Sequence, residues 1–459
     1  MKPAFANLAR VKLLALACGI LAAQWAIAAE EPPPPKFDSP RIAQLAAALA
    51  AGDTGAATEA FWTEIKVKKT PLVESIDGGA DHVWLTFLWR GDDSTRSVVL
   101  VGGAALGHPT ENRLKQLPNS DVWYRTLRMR NDLRTTYRLL VNDPRIEGDE
   151  PAEGQGVTSR PDPLNPRRQI AGSLIELANA PPQPWIQANE QAPRGTLEGK
   201  KFKSEILGNE RQISVYRPAN YDPAAAPYPL VILFDWDAYT LFVPTPTILN
   251  NLIHAGQIPP VVTLLVGNAP NARNTELPCN ETFARFLAEE LLPAVRKEHH
   301  VTTDPRQVVV GGSSYGGLAA SYFAWRYPEV AGNVLSQSGS YWWFPELEKA
   351  NGDPAVEREW LTRQFATSPK KVVRFFLEAG LRESLLVDNR HFRDVLSAKG
   401  YEIVAYSEYN GGHDYCCWRG SLADGLMALL GKAKSDAPAA AAPDAAPSNA
   451  VDSPTAASP

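Results

Sequence analysis

The spacing of hydrophobic and polar positions changes character once along this chain, near residue 195. Upstream, from about Phe61 to Ile175, bulky and polar residues form short runs bounded by turns. His82-Val83-Trp84-Leu85-Thr86-Phe87-Leu88-Trp89 leads into Gly91-Asp92-Asp93, and Ser97 to Val101 stops at Gly102-Gly103. Val122 to Arg130 and Thr136 to Val141 follow, with a polar turn between them. Runs of this length with turn chemistry at their ends predict a small antiparallel β-sandwich over 61–175. The stretch 149–168, rich in Pro, Gly and charge, reads as a long loop leaving it. Downstream the rhythm is strand then helix. Ile213 to Arg217, Leu230 to Phe234, Val261 to Val266 and Val308 to Val310 read as strands, as do Val372 to Leu377 and Ile403 to Tyr406. Thr282 to Lys297 places Phe283, Phe286, Leu287 and Leu291 on one helical face, and Leu318 to Tyr327 is a helix stopped by Pro328. Alternation of this kind predicts an α/β domain over 195–433, built on a doubly wound, mostly parallel sheet.

The two ends follow different rules. Lys2, Arg10 and Lys12 precede the apolar run Leu13 to Ala23, and Ala26-Ile27-Ala28 offers small residues for cleavage. The pattern predicts a signal peptide over 1–28, with a periplasmic or secreted product. The apolar run is short for a bilayer span, so no stable membrane span is expected after cleavage. Pro32 to Pro35 is a spacer and Arg41 to Ala51 a short helix, within a linker over 29–60. At the other end, 434–459 is dominated by Ala, Pro, Ser and Asp, with Val451 its one large apolar residue, and reads as a disordered tail. A formal charge of -5 removes nucleic acid and anionic membranes from the expected partners. Cleavage would leave Cys279, Cys416 and Cys417. One bridge from Cys279 to either neighbour, or three free thiols, both fit an exported chain.

The chemistry concentrates at Gly312-Ser313-Ser314-Tyr315-Gly316, a Gly-x-Ser-x-Gly turn between an apolar strand and a helix. That context makes Ser314 the candidate nucleophile of an α/β-hydrolase domain, because the tight turn exposes the hydroxyl and the helix start faces it. Ser313 lacks the flanking glycine spacing. A serine needs a base, which in this fold is a late histidine following the acid. Of seven histidines, His413 in Gly411-Gly412-His413-Asp414 sits in a loop just after a late strand. The acid belongs in Leu377-Glu378-Ala379-Gly380-Leu381-Arg382-Glu383. Glu383, after the Gly380 turn, is the candidate, with Asp388 as fallback and Asp414 read as structural. Two backbone N–H groups, of Tyr315 and Trp236, are the expected oxyanion donors.

Several segments together resemble the enterochelin (enterobactin) esterases. They are Val83 to Arg90, Asp162-Pro163-Leu164-Asn165-Pro166, Arg273-Asn274-Thr275-Glu276-Leu277-Pro278, Leu335 to Trp343, Leu377 to Glu383 and Gly411 to Gly420. The resemblance spans about Phe61 to Leu430 and aligns the family's acid with Glu383. It implies a catecholate siderophore substrate, a catecholoyl-serine ester that brings its own Fe³⁺, so neither cofactor nor protein-bound metal is expected. It implies binding roles for Arg273, Trp342 and Trp343. A salt bridge from Arg273 to Glu276, and core packing of one tryptophan, are the competing readings. Arg125, Arg128, Arg130, Arg134 and Arg138 could face the ligand from the first domain, although a solvated strand face is the commoner arrangement. The family's two-domain members are cytoplasmic, whereas this chain joins both domains to an export signal. A general exported ester hydrolase or acyltransferase of the feruloyl-esterase kind, and a siderophore-binding protein without turnover, are the alternatives.

Overall fold

Ser39 opens the first helix, Pro40–Ala50, by accepting the Ile42 N–H on its hydroxyl, with Pro40 in the first turn where no N–H is needed. The computed structural model describes residues 37–52, 54–107, 109–144, 159–170, 172–345 and 358–431. The signal-peptide and tail readings, at 1–28 and 434–459, lie outside them. A second helix, Thr54–Lys68, differs from the expectation that 29–60 is linker and that strands begin at Phe61. Thr58, Phe61, Trp62 and Ile65 recur at helical spacing and are buried. Ile65-Lys66-Val67 alternates locally as a strand would, yet Val67 is 78% exposed, the phase that only the helix allows.

The sandwich consists of β1 (Leu72–Ile76), β2 (Gly79–Arg90), β3 (Val98–Gly102), β4 (Lys115–Gln116), β5 (Val122–Arg130), β6 (Arg134–Val141), β7 (Ser159–Arg160), β8 (Arg168–Gln169) and β9 (Gly172–Glu176). One antiparallel sheet runs β1-β2-β5-β4. The other runs β3-β6-β9-β8, with β7 added to β6. Inward residues of both sheets, including Leu85, Phe87, Leu100, Tyr137 and Leu139, form one core, and Phe87 meets Tyr137 edge-on at 4.9 Å.

The second sheet has eight strands: β10 (Thr196–Ser204), β11 (Asn209–Arg217), β12 (Leu230–Phe234), β13 (Val262–Val266), β14 (Val308–Ser313), β15 (Asn333–Gln337), β16 (Arg374–Gly380) and β17 (Glu402–Tyr409). Their order is β10-β11-β13-β12-β14-β15-β16-β17, parallel from β13 to β17. Strands β12 to β15 are buried at every position, the signature of a sheet covered on both faces. Alternate residues feed opposite layers: Leu230, Ile232 and Phe234 pack into one core, Val231 and Leu233 into the other. This is the expected α/β-hydrolase sheet.

One predicted helix is interrupted. Glu281–Arg285 passes through a π-helical turn at Phe286–Leu291 before continuing as Leu292–Glu298. Pro293 has no N–H to give the preceding turn, which is why the regular ladder breaks there. The sandwich does not stand apart. The described residues from Asp38 onward cluster as one compact unit. The Arg134 N–H donates to the Asn410 carbonyl at 3.0 Å, and Arg382 reaches the Gly103 and Ala104 carbonyls at 2.7 and 3.1 Å.

Candidate active site

Strand β14 delivers the chain to Ser314, which adopts φ 58° and ψ -122° at the start of the helix Tyr315–Arg326. A non-glycine residue in that region is strained and persists only where neighbours hold it. Here the Ser314 N–H donates to the Gln337 carbonyl, and its carbonyl accepts from the Ser340 N–H, both at 3.0 Å. Gly312 is required by the closeness of the turn, since a Cβ there would lie 2.9 Å from the Gly316 backbone. The Ser314 hydroxyl lies 3.2 Å from the Ser340 hydroxyl. Tyr315, as first residue of the helix, turns its N–H away from any intrahelical partner.

His413 follows β17 and the glycine pair Gly411-Gly412. Its Nδ1 lies 2.8 Å from Glu383 Oε2. The Glu383 side chain is 1% exposed, and its other oxygen accepts the Gly380 N–H at the end of β16, at 2.9 Å. A carboxylate so enclosed orients the imidazole and leaves Nε2 as the free ring nitrogen. Trp418 meets the imidazole edge-on at 4.7 Å. Ser314 and His413 line one cavity of about 530 Å³, together with Arg273, Asp414 and Tyr415. Its opposite wall comes from the sandwich: Val101, Gly102, Thr136, Tyr137, Arg138, Gln169 and Ile170. A strained serine, a carboxylate-bound imidazole and a shared cavity of ligand size can support acyl transfer.

Known proteins resemble both halves. The family model described as enterochelin esterase, N-terminal, matches residues 84–186, and the Esterase model matches 204–429. An iron(III) enterobactin esterase of Dickeya dadantii is 33% identical over 428 residues, spanning 85% of this chain and 96% of the relative. An iron(III) salmochelin esterase of Escherichia coli is 30% identical over 85% of this chain and 98% of its own. The chain belongs to the enterochelin esterase family. It is accordingly a carboxylic ester hydrolase. The crystal structure of the Shigella flexneri enterobactin esterase in the presence of enterobactin superposes with a TM-score of 0.64 at 27% identity, covering 80% of this chain and 97% of that one. The Salmonella typhimurium ferric enterobactin esterase gives 0.65 at 27%, over 81% and 98%.

Within this enterochelin esterase family fold, the remaining expected residues fall into place unevenly. The Trp236 N–H donates to the Val266 carbonyl at 3.2 Å, and its indole N–H to the Ser214 hydroxyl at 2.7 Å. As an oxyanion donor it would first have to leave Val266. Arg273 lines the cavity, but its partner is Asp235, bound at 2.7 and 2.8 Å, rather than Glu276. Glu276 instead takes the buried guanidinium of Arg211 at 2.9 and 3.0 Å. Trp342 lies 6.0 Å from the Tyr315 ring, while Trp343 meets Trp360 edge-on and packs against the main core. Asp388 sits in the first turn of the helix Leu386–Ala398. Cys279, Cys416 and Cys417 are free thiols, and the Sγ atoms of the vicinal pair are 3.9 Å apart. Cys279 packs against the main core of the hydrolase sheet, whereas Cys416 and Cys417 pack with Leu174 and Tyr409. Among the described residues, no helix is long and apolar enough to cross a membrane.

Two contributors, Asp235 and Glu378, were not anticipated, and Asp414 was read only as structural. Asp235, held at φ 58° and hydrogen-bonded by Asn268 at 2.7 Å, fixes Arg273. Asp414 accepts the Thr136 N–H at 2.8 Å and the Thr136 hydroxyl at 2.5 Å while capping Cys416 at 3.2 Å, so it ties the His413 loop to the sandwich. Glu378, buried on β16, accepts from Ser421 at 2.5 Å and Gln337 at 3.2 Å, and burial pushes its carboxyl up to about 8. Gln337 links this group to the nucleophile, because its carbonyl holds the Ser314 N–H.

Proposed function

We propose that this chain hydrolyses the ester bonds of a ferric catecholate siderophore of the enterobactin type through an acyl-serine intermediate. The observation that carries the reading is His413, held by the enclosed Glu383 carboxylate and sharing one cavity with Ser314. The Ser314 hydroxyl turns from Ser340 toward His413, whose Nε2 takes the proton as Oγ attacks the ester carbonyl. Glu383 holds Nδ1–H and stabilises the imidazolium. The Tyr315 N–H, aided by the helix start behind it, faces the developing oxyanion, and Trp236 is the second candidate donor. The protonated imidazole then returns its proton to the leaving serine alkoxide, and a water repeats the sequence to free the acid. The substrate assignment rests on the named activities of relatives that match both domains. Iron enters and leaves with the substrate, and the protein needs no cofactor. The amino-terminal pattern supports export, so the reaction is assigned to the periplasm or exterior.

The test is hydrolysis of ferric enterobactin by the protein beside Ser314→Ala, with products separated chromatographically. Release of catecholoyl-serine fragments by the wild type alone is the expected result. Binding by both without cleavage by either sinks the catalytic reading. Cleavage restricted to simple aryl esters transfers the protein to the general ester hydrolases.

A further inference from the structure

The cavity at Ser314 does not end at the sandwich wall. Gln169, at the end of β8, and Ile170, in the turn after it, line both it and a neighbouring cleft of about 330 Å³. That cleft continues along Arg168, Ile186, Gln187, Phe242 and Arg419. Ile170, 50% exposed, forms the sill between the two spaces.

The guanidiniums along this path differ in what they are tied to. Arg273 faces Asp235 with both prongs and is neutralised there. Arg168 donates to Ser173 and to the Asp162 carbonyl, bracing the β8 turn beside the buried Asp162 carboxyl. Arg138 donates one N–H to the Ser159 hydroxyl at 3.1 Å. Arg419 donates to the side-chain amide oxygens of Gln183 and Gln169, at 2.8 and 3.3 Å. Among the described residues, neither Arg138 nor Arg419 forms an ion pair. Each is half-buried, held by neutral partners, and keeps most of its five donors. Among the described residues, the one carboxylate lining either space is Asp414, whose oxygens are already taken by Thr136 and Cys416. Two oriented guanidiniums, one on each of two adjoining spaces and without a carboxylate partner among the described residues, form a receptor for delocalised oxyanions.

We infer that Arg138 and Arg419 form an anion subsite bridging the two domains, which holds the iron-bound catecholates of the substrate while the scissile ester lies at Ser314. The inference rests on the proposed siderophore activity and specifies how that substrate is selected. In a ferric tris-catecholate the ionised oxygens outnumber the charge of Fe³⁺, so the head group is an anion with its charge spread over a rigid surface. Guanidinium planes match such a surface, and Ile170 offers an apolar edge to a catechol ring between them. The subsite favours the iron-loaded ester over the iron-free one, whose catechols are protonated and neutral near neutral pH.

The experiment measures binding of ferric and iron-free enterobactin by tryptophan quenching, together with turnover of both and of a simple aryl acetate. The proteins are wild type, Arg138→Gln, Arg419→Gln, the double variant, and Arg138→Lys with Arg419→Lys as the charge-retaining control. Each glutamine raises Kd and KM for the ferric form about tenfold. The double variant loses about a hundredfold, with kcat and aryl acetate turnover unchanged. The iron-free form shifts by less, salt weakens wild-type binding more steeply than that of the double variant, and the lysine control recovers part of the loss. Unchanged ferric Kd in the double variant, with normal turnover, overturns the subsite and leaves the catalytic reading intact. Loss of ferric binding in the variants of a wild type that binds but never cleaves supports the subsite and overturns the catalysis. Equal losses for the ferric, iron-free and neutral aryl esters also overturn it, because they report a general disturbance rather than anion recognition.

Discussion

The edge of the eight-stranded sheet and the facing edge of the sandwich look across the same cavity, and they are made in different ways. On the sheet side each reactive candidate sits just past the carboxyl end of a strand and is held by backbone close to it. Ser314 follows β14, Glu383 is fixed by the Gly380 N–H of its own loop, and His413 follows β17. On the sandwich side nothing reactive is offered. Thr136, Arg138 and Ile170 supply shape, hydrogen bonds and charge, and the tie to the sheet side is remote in sequence: Thr136 and Asp414 are 278 residues apart. A reaction needs groups within fixed reach of each other, which short loops on a rigid sheet provide. A wall that selects a substrate can be carried by a second body, provided that body is tied down, as the bonds from Thr136, Arg134 and Arg382 do here.

That contrast can be broken most sharply on the sheet side. Ser314→Ala should lower kcat by roughly 10³ to 10⁶ while leaving Kd for ferric enterobactin near its wild-type value. Retention of catecholate ester cleavage would move the nucleophile elsewhere. Glu383→Gln keeps the shape but loses the charge that stabilises the imidazolium, and kcat should drop by about 10² to 10⁴. A fall of only a few-fold would make Glu383 a structural group and return Asp388 to consideration.

On the sandwich side, Thr136→Val removes one of the two bonds from that residue to Asp414 and should reduce kcat about tenfold with little change in KM. Thr136→Ser, which keeps the hydroxyl, should restore the rate. A KM effect without a kcat effect would mean that Thr136 touches substrate rather than positioning the His413 loop. The smallest effect belongs to Glu378, whose folded carboxyl is pushed up to about 8. An unfolded glutamate titrates near about 4.3. Between those limits the folded state binds the extra proton, so its stability is full below the window and falls as pH rises through it. The Tm of the wild type should therefore drop relative to that of Glu378→Gln from about pH 5 to about pH 8. Parallel Tm curves would show that Glu378 does not titrate with folding.

The helix at Thr54–Lys68 marks one limit of reading period from short windows: Ile65-Lys66-Val67 alternates, and only a longer stretch reveals the spacing of Thr58, Phe61, Trp62 and Ile65. Arg273 marks another. Glu276, three residues away, was the visible partner, while the actual one, Asp235, lies 38 residues upstream at the end of β12. Glu276 was taken by Arg211, 65 residues away. Trp236 lay where the turn pattern put it, but its N–H direction follows from the crossing of β13 beside it.

What the chain states about itself in sequence is local: the order of strands and helices, the Gly-x-Ser-x-Gly turn between a strand and a helix, and a late Gly-Gly-His loop preceded by Gly380 and Glu383. These depend on backbone conformations set by neighbours a few residues away, so their residue types are legible wherever they occur. Only the folded molecule decided which domain faces the nucleophile, that Asp414 is a tie to Thr136, that Arg273 is spent on Asp235, and that Arg138 and Arg419 meet only neutral partners among the described residues. Pairing of charges and hydrogen bonds depends on distance in space, and across two packed sheets that distance bears no relation to separation along the chain.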